Sequence, residues 1–308
     1  MSDPQPAIIV TGATGFIGAA VVQSLVARGE NVFALMRTHS DTTRLQTAGA
    51  HRQLIVERFD DAELAKHLRE NLASVFIHCA WRGVAGKDRN EAWQITDNLR
   101  LTVEAAHLAV DSGCKQFIGL GSQAEYGNLN CVIAETAPTN PTTVYGKAKV
   151  AARLAALDIC DAGGVAAAWL RVFSTYGPGD APHWLISYII AELAAGRAPK
   201  LTRCEQLWDY LHVTDAAEAV AALADGKASG TFNLGHGRAW SLREVVEAIC
   251  SAMATSIQPE YGAIPYRPDQ VMHLEADIAK LTAATGWRPR IGLAEGIAET
   301  VSYFRQHT

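Results

Sequence analysis

Thr11-Gly12-Ala13-Thr14-Gly15-Phe16-Ile17-Gly18 lies between a short apolar run, Ala7-Ile8-Ile9-Val10, and a stretch of helical periodicity from Gly15 to Arg28. The apolar run reads as a buried strand. Ile17, Val21, Val22, Leu25 and Val26 then fall on one side of a helix that Gly29 stops. In the turn between them the glycines are spaced GxxGxxG. Gly12 suits the tight turn, Gly15 lets a diphosphate approach the backbone, and Gly18 lets helix and strand pack closely. The helix N-terminus adds free N–H groups and a partial positive charge. A glycine pattern alone is weak evidence. Placed after a strand and opening a helix, it predicts a dinucleotide cradle made of Gly12, Thr14, Gly15, Phe16 and Ile17.

Outward from this turn, strands and helices alternate. Asn31 to Met36 reads as a strand, Ala62 to Glu70 as a helix, Ser74 to Cys79 as a strand, and Glu91 to Asp111 as a long helix closed by Gly113. Gln116 to Leu120 is a strand, Tyr145 to Asp161 a helix, and Val165 to Val172 a strand. That alternation predicts an α/β fold with a parallel sheet doubly wound by helices. Past Val172 glycine and proline become frequent and the elements shorten. Helices are expected near Trp184 to Ala195, Leu242 to Met253, Asp277 to Ala284 and Leu293 to Phe304, with strands near Leu207 to His212 and Thr231 to Leu234. The expected division is a nucleotide-binding domain over residues 1–173, rejoined by segments near 207–235, and a smaller, interleaved C-terminal α/β lobe over 174–308.

Composition narrows the function classes. At 308 residues, 49% hydrophobic and 19% charged, the chain can bury a substantial core. A formal net charge of -5 leaves no basic excess to hold a nucleic-acid backbone. No apolar run reaches the ~20 residues that a membrane span needs, and the polar start Met1 to Pro6 does not read as a secretion signal. The six cysteines form no CxxC pair, so neither a metal site nor a disulfide framework is expected. Together these imply a cytoplasmic protein with small-molecule ligands.

The end of the second strand bears on the cofactor. An NAD site usually places Asp or Glu there, on the ribose hydroxyls. This chain has Ala34-Leu35-Met36-Arg37. Arg37 can pair with a 2′-phosphate, so NADP(H) is favoured and NAD(H) stays open. Further on, Tyr145-Gly146-Lys147-Ala148-Lys149 puts Tyr145 and Lys149 one helical turn apart on one face. An ammonium beside a phenol is expected to lower its pKa towards a usable proton shuttle. Ser122 follows the strand Gln116 to Leu120, at the sheet edge where ligands gather. Ser122, Tyr145 and Lys149 are the expected catalytic set. An amphipathic helix with incidental Tyr and Lys is the plain alternative.

With these residues in view, the chain resembles an extended short-chain dehydrogenase/reductase, of the NAD(P)-dependent nucleotide-sugar epimerase/dehydratase family. The likeness rests on the glycine turn, His78-Cys79-Ala80, Asn98, Ser122, Tyr126-Gly127, Glu135 and Tyr145 with Lys149. It continues through Leu170-Arg171, Tyr176-Gly177-Pro178, His212-Val213, Asn233-Leu234-Gly235, Arg267-Pro268 and Gly286-Trp287-Arg288-Pro289. It implies a Rossmann-like fold, a nucleoside-diphosphate sugar as substrate and a homodimer formed through the long helix and the Tyr-Lys helix. It also implies that Ala80, Asn98, Lys149 and Phe173 line the cofactor, and that Arg267 holds the substrate diphosphate.

The chain departs from the family pattern in telling places. A 4,6-dehydratase of this kind carries Asp-Glu after the Ser or Thr; here stand Gln123-Ala124, so dehydration lacks its acids. Ser174 replaces a frequent Asn, Trp208 replaces an Arg that can touch phosphate, and Arg58 stands where an acid near the adenine is common. Trp81 is expected to wall the sugar pocket, with packing as the equal alternative. Gln123, Ser174 and His183 are placed on the substrate side, although a surface histidine is the simpler reading of His183. The expected reaction is reduction of the 4-keto group of a nucleotide-linked, 6-deoxy hexose by NADPH. The alternatives are an NAD-dependent 4-epimerase, a reductase of small carbonyl compounds and a non-catalytic NADP sensor.

Overall fold

The computed structural model describes residues 5–46, 48–49 and 51–307. Among the described residues twelve strands form: β1 (Ala7–Thr11), β2 (Asn31–Met36), β3 (Arg52–Ile55), β4 (Ala73–His78), β5 (Gln116–Ser122), β6 (Cys131–Ile133), β7 (Ala166–Val172), β8 (Ser174–Tyr176), β9 (Leu207–His212), β10 (Gly230–Leu234), β11 (Ala239–Ser241) and β12 (His273–Ala276). The helices are α1 (Phe16–Ala27), α2 (Ala62–Glu70), α3 (Arg100–Asp111), α4 (Val144–Ala162), α5 (Leu185–Ala194), α6 (Val213–Ala224), α7 (Leu242–Met253), α8 (Ala279–Thr285) and α9 (Leu293–His307).

Seven strands make one parallel sheet in the order β3-β2-β1-β4-β5-β7-β10. Every residue of β1 is buried, and its neighbours alternate between two cores. Ile8 and Val10 pack with α1 and α6 on one face; Ala7 and Ile9 pack with α2, α3 and α4 on the other. This is why β1 reads as an unbroken apolar run rather than as alternation. The chain winds outward from β1 to β3, then returns to β4 on the other side of β1. The crevice where that direction reverses, beyond the C-terminal ends of β1 and β4, is where such sheets bind ligands.

The second sheet is mixed, with short strands in the order β11-β9-β12-β6 and β8 beside β9. Helices α5, α7 and α9 bury their apolar sides against it. β10, although it follows β9 in sequence, lies at the edge of the large sheet beside β7. One expected helix differs. Gln94–Leu99 winds as a wider π-type turn before α3 begins. Gln94 and Asn98 turn their amides onto the loop after β4, and the local helix widens to let them do so. Among the described residues, no helix is long and apolar enough to cross a membrane.

Candidate active site

The glycine turn lies against the end of β4. Gly12 has φ +65°, and a Cβ there would run into the Cys79-Ala80 backbone. A Cβ at Gly18 would overlap the Gly12 carbonyl. Gly15 is the extended N-cap of α1, donates its N–H to Gly12 O at 2.9 Å, and is exposed. No side chain caps that helix end, and its first turn carries no acid. A loop stripped of side chains, opening onto uncapped N–H groups, fits a diphosphate. Thr14, Phe16 and Ile17 are half-buried beside it, and Ala80 forms its floor. Arg44, which the sequence reading did not single out, reaches in from the turn after β2. It donates to Thr14 O at 3.5 Å and to Gly179 O at 2.8 Å. Only a fold that brings residue 179 over the glycine turn reveals it.

Arg37 is exposed at the end of β2, and no acid lies on that strand. An acid nevertheless reaches this corner from β3. Glu57 accepts from the Thr38 N–H at 3.0 Å and from its hydroxyl at 2.5 Å. Those bonds hold its carboxyl below the usual range, with His39 and Arg37 adding to the effect.

The three expected catalytic residues converge. Thr143 caps α4 by accepting the Gly146 N–H at 3.1 Å, which starts the helix so that Tyr145 stands in its first turn and Lys149 one turn further on. The Ser122 side chain faces the Tyr145 phenol closely enough to pull its pKa down against burial. Lys149 donates from Nζ to Leu120 O at 2.7 Å. The Trp81 ring lies 3.5 Å from Lys149 Nζ and meets Tyr145 edge-on at 5.9 Å. Trp81 is pinned in turn by its N–H on Gln94 Oε1 at 2.9 Å. The Arg89 guanidinium lies 5.1 Å from the centre of the Tyr145 ring, and its carbonyl accepts the Tyr145 N–H.

The electrostatics reverse one expectation. Tyr145 is not lowered by Lys149. Burial pushes its phenol above the ordinary value, while the Ser122 hydrogen bond and the Arg89 charge pull the other way. Lys149 is itself only 4% exposed, and burial brings it down to about 7 against the opposing charge of Glu125. The physical reason is that desolvation acts on both groups and exceeds the help that each receives from its neighbours. Neighbouring groups stay neutral: burial takes His78 down to about 3 and Cys79 up to about 12.

The remaining expected residues are more scattered. Asn98 is buried, and its amide is used by the Arg82 N–H, the Arg82 carbonyl and Gln94, so it shapes the loop that carries Trp81. Phe173 packs 6.5 Å from Tyr126 in the small core with Ile133 and Leu274. Ser174 accepts from Trp208 Nε1 at 2.6 Å, so the two departures from the family pattern touch each other. Gln123 is half-buried on the turn after Ser122. His183 is exposed beside the Trp184 ring, and Arg267 is exposed on the loop before β12. None of these four shares a described hydrogen bond or ring contact with the Ser122–Tyr145–Lys149 cluster. Cys131, on β6, is exposed.

A family model described as NAD dependent epimerase/dehydratase family matches residues 8–235. The chain is 29% identical over 318 residues to a UDP-glucose 4-epimerase of Mycolicibacterium smegmatis, covering 96% of this chain and 98% of that one. It is 28% identical to a dTDP-6-deoxy-L-talose 4-dehydrogenase (NAD(P)(+)) of Kitasatospora kifunensis, covering 95% and 93%. Among solved structures, MoeE5 in complex with UDP-glucose and NAD superposes with a TM-score of 0.82 at 28% identity, over 98% and 99% of the two chains. The glycine turn at the β1–β4 crevice, the Ser-Tyr-Lys cluster beside it and the matched residues agree: this chain belongs to the NAD dependent epimerase/dehydratase family.

Proposed function

We propose that this protein is an oxidoreductase acting at carbon 4 of a nucleoside-diphosphate hexose, and that its net reaction is reduction of a 4-keto, 6-deoxy sugar with NADPH. The observation that carries the reading is the meeting of Ser122, Tyr145 and Lys149 under Trp81, next to a glycine turn fit for a diphosphate. When bound, the nicotinamide supplies the hydride. Tyr145, held protonated by burial, gives its phenol proton to the sugar oxygen as the carbonyl becomes a hydroxyl. Ser122 donates a hydrogen bond to the same oxygen and keeps it facing the phenol. In its ammonium form Lys149 supplies positive charge beside the cluster, and Trp81 keeps water from it. Dehydration is disfavoured because Gln123-Ala124 offers no acid after Ser122. The choice of NADPH rests on exposed Arg37 and on a β2 that carries no acid.

A second reading has its own support. Glu57 brings a carboxylate to the corner that Arg37 occupies, which favours ribose hydroxyls over a 2′-phosphate, and the relatives include UDP-glucose 4-epimerases. An epimerase that retains NAD uses the same three residues in both directions. Stoichiometry separates the two. A reductase given a dTDP-4-keto-6-deoxyhexose consumes one NADPH per product at 340 nm, whereas an epimerase given UDP-glucose forms UDP-galactose with no net absorbance change. If neither substrate turns over and no nucleoside diphosphate raises the melting temperature, both readings are wrong.

We also propose a homodimer. Ile95 and Leu154 are exposed apolar residues on two neighbouring helical segments, and a second copy would cover them. Sedimentation of Leu154→Glu as a monomer, beside a dimeric parent, is the expected outcome.

A further inference from the structure

β5 outruns its neighbour. Its last partner on β4 is His78, opposite Gly119, yet the strand continues to Ser122. In that extension two backbone groups are taken by side chains. The Leu120 carbonyl accepts from Lys149 Nζ, and the Ser122 N–H donates to Glu125 Oε1 at 3.1 Å. Glu125 is completely buried. The same oxygen accepts the Trp169 indole N–H at 2.8 Å. Its other oxygen lies 3.0 Å from Arg171 Nε and 3.4 Å from Arg153 Nε. Ser122 returns the contact: its hydroxyl caps the short turn that carries Glu125 by accepting the Ala124 N–H at 3.1 Å. Gly121 makes room for all this, because a Cβ there would overlap the Trp169 nitrogen and Glu125 Oε1.

We propose that Glu125 is a positioning residue for the reaction, which fixes the Ser122 turn and supplies the buried negative charge that favours the ammonium form of Lys149 at the other end of the same strand extension. This rests on the reading of Ser122, Tyr145 and Lys149 given above. A buried carboxylate surrounded by a tryptophan N–H, a backbone N–H and two guanidinium groups costs too much to be incidental packing. An apolar side chain alone would leave Arg171, Arg153 and the Trp169 N–H without their acceptor, and could neither hold the Ser122 N–H nor oppose the desolvation of Lys149. The groups that face Lys149 are Cys79 and His78 on β4, Trp81 on the loop, Tyr145 on α4, the Leu120 carbonyl on β5 and Glu125. Cys79 and His78 are held neutral by burial, so Glu125 is the carboxylate that favours the ammonium.

The test is Glu125→Gln, which keeps the shape and removes the charge. Two readouts are taken across pH 6 to 9: kcat and KM for the nucleotide sugar, and the titration of Lys149 by NMR of protein carrying 13C-labelled lysine, assigned with Lys149→Arg. The expected result is at least a tenfold loss of kcat at pH 7.5 with KM within threefold. The alkaline limb of the kcat profile and the Lys149 midpoint should move together to lower pH by at least half a unit. A folded variant whose Lys149 midpoint stays in place overturns the proposal, even if kcat falls uniformly, because that loss is structural. If the single variant does not fold, Glu125→Gln with Arg171→Met leaves no unpaired charge of that pair, and the same readouts apply. The lysine titration needs no substrate. A parent enzyme inactive on nucleotide sugars therefore overturns the functional reading alone, while the titration still decides on Glu125.

Discussion

The large sheet and the small sheet are held together in different ways. In the large sheet, strands of four to seven residues are packed by helices, and β1, β2, β4, β5 and β7 are specified by their own apolar runs, whereas the edge strand β3 is mostly exposed and carries none. In the small sheet, strands of three to six residues come from across the chain and are joined by buried polar groups. Asp209 on β9 accepts N–H groups from His236, Gly237 and Ala276. Asn233 on β10 donates to the Ile133 and Asp277 carbonyls and accepts from the Tyr126 phenol at 2.7 Å. Local hydrophobic patterning builds the half that would bind the cofactor. Long-range hydrogen bonds build the half from which the sugar would be held.

If that contrast is right, changes at the chemical centre of the large sheet should alter rate without altering stability. Tyr145→Phe removes one hydroxyl from the reacting cluster, and kcat should fall about a thousandfold, or about 4 kcal/mol in the barrier. Dinucleotide binding should change less than twofold in a fluorescence titration. A variant within tenfold of the parent would remove the phenol from the mechanism.

The small sheet should show the opposite behaviour. Asp209→Ala leaves the buried Ala276 N–H and the partly buried His236 and Gly237 N–H groups without their acceptor, and unfolding in urea should reveal a loss of about 3 kcal/mol. An unchanged midpoint would mean that apolar packing, not the carboxylate, joins β9 to β12 and to the loop before β11.

pH separates the regions more finely. His212 lies 3.6 Å from Glu299, which would favour its charged form, yet burial prevails and takes it down to about 4. The unfolded chain therefore binds this proton first. Its contribution to stability is complete above pH 6.5 and is lost as pH falls from 6.5 to 4, at about 1.4 kcal/mol per unit. Asp180 and Asp209, raised by burial to about 7 and about 6, act with the opposite sign, so the difference between parent and variant is the quantity to measure. His212→Asn should gain on the parent at that rate across the window. A constant difference would show that His212 is charged when folded.

The smallest effect tests the cofactor corner. Arg37→Ala should weaken NADPH binding about tenfold and leave NADH unchanged, as expected for one exposed charge-assisted contact. Equal affinities before and after would shift the choice to NAD and to the Glu57 corner.

How much of this was legible depended on the range of the forces involved. The strands and helices that carry Ser122, Tyr145 and Lys149 were readable to within a few residues, because apolar period acts locally. The glycine turn was readable for the same reason. β6, β8, β11 and β12 were not, because three or four residues carry no period and are strands only by virtue of their partners. Arg44, Glu57 and Glu125 were missed as site residues, since each acts on a group that the chain brings near only by folding.

The sequence by itself therefore determined the parallel sheet, the glycine turn that opens α1 and the shared face of Tyr145 and Lys149, because spacing on a strand or helix fixes which side chains lie on one side. Tertiary structure alone decided their charge. Desolvation depends on everything packed around a group. Burial raises the phenol and lowers the amine that sequence spacing would have paired in the opposite sense, and Glu125 adds to the first shift and opposes the second.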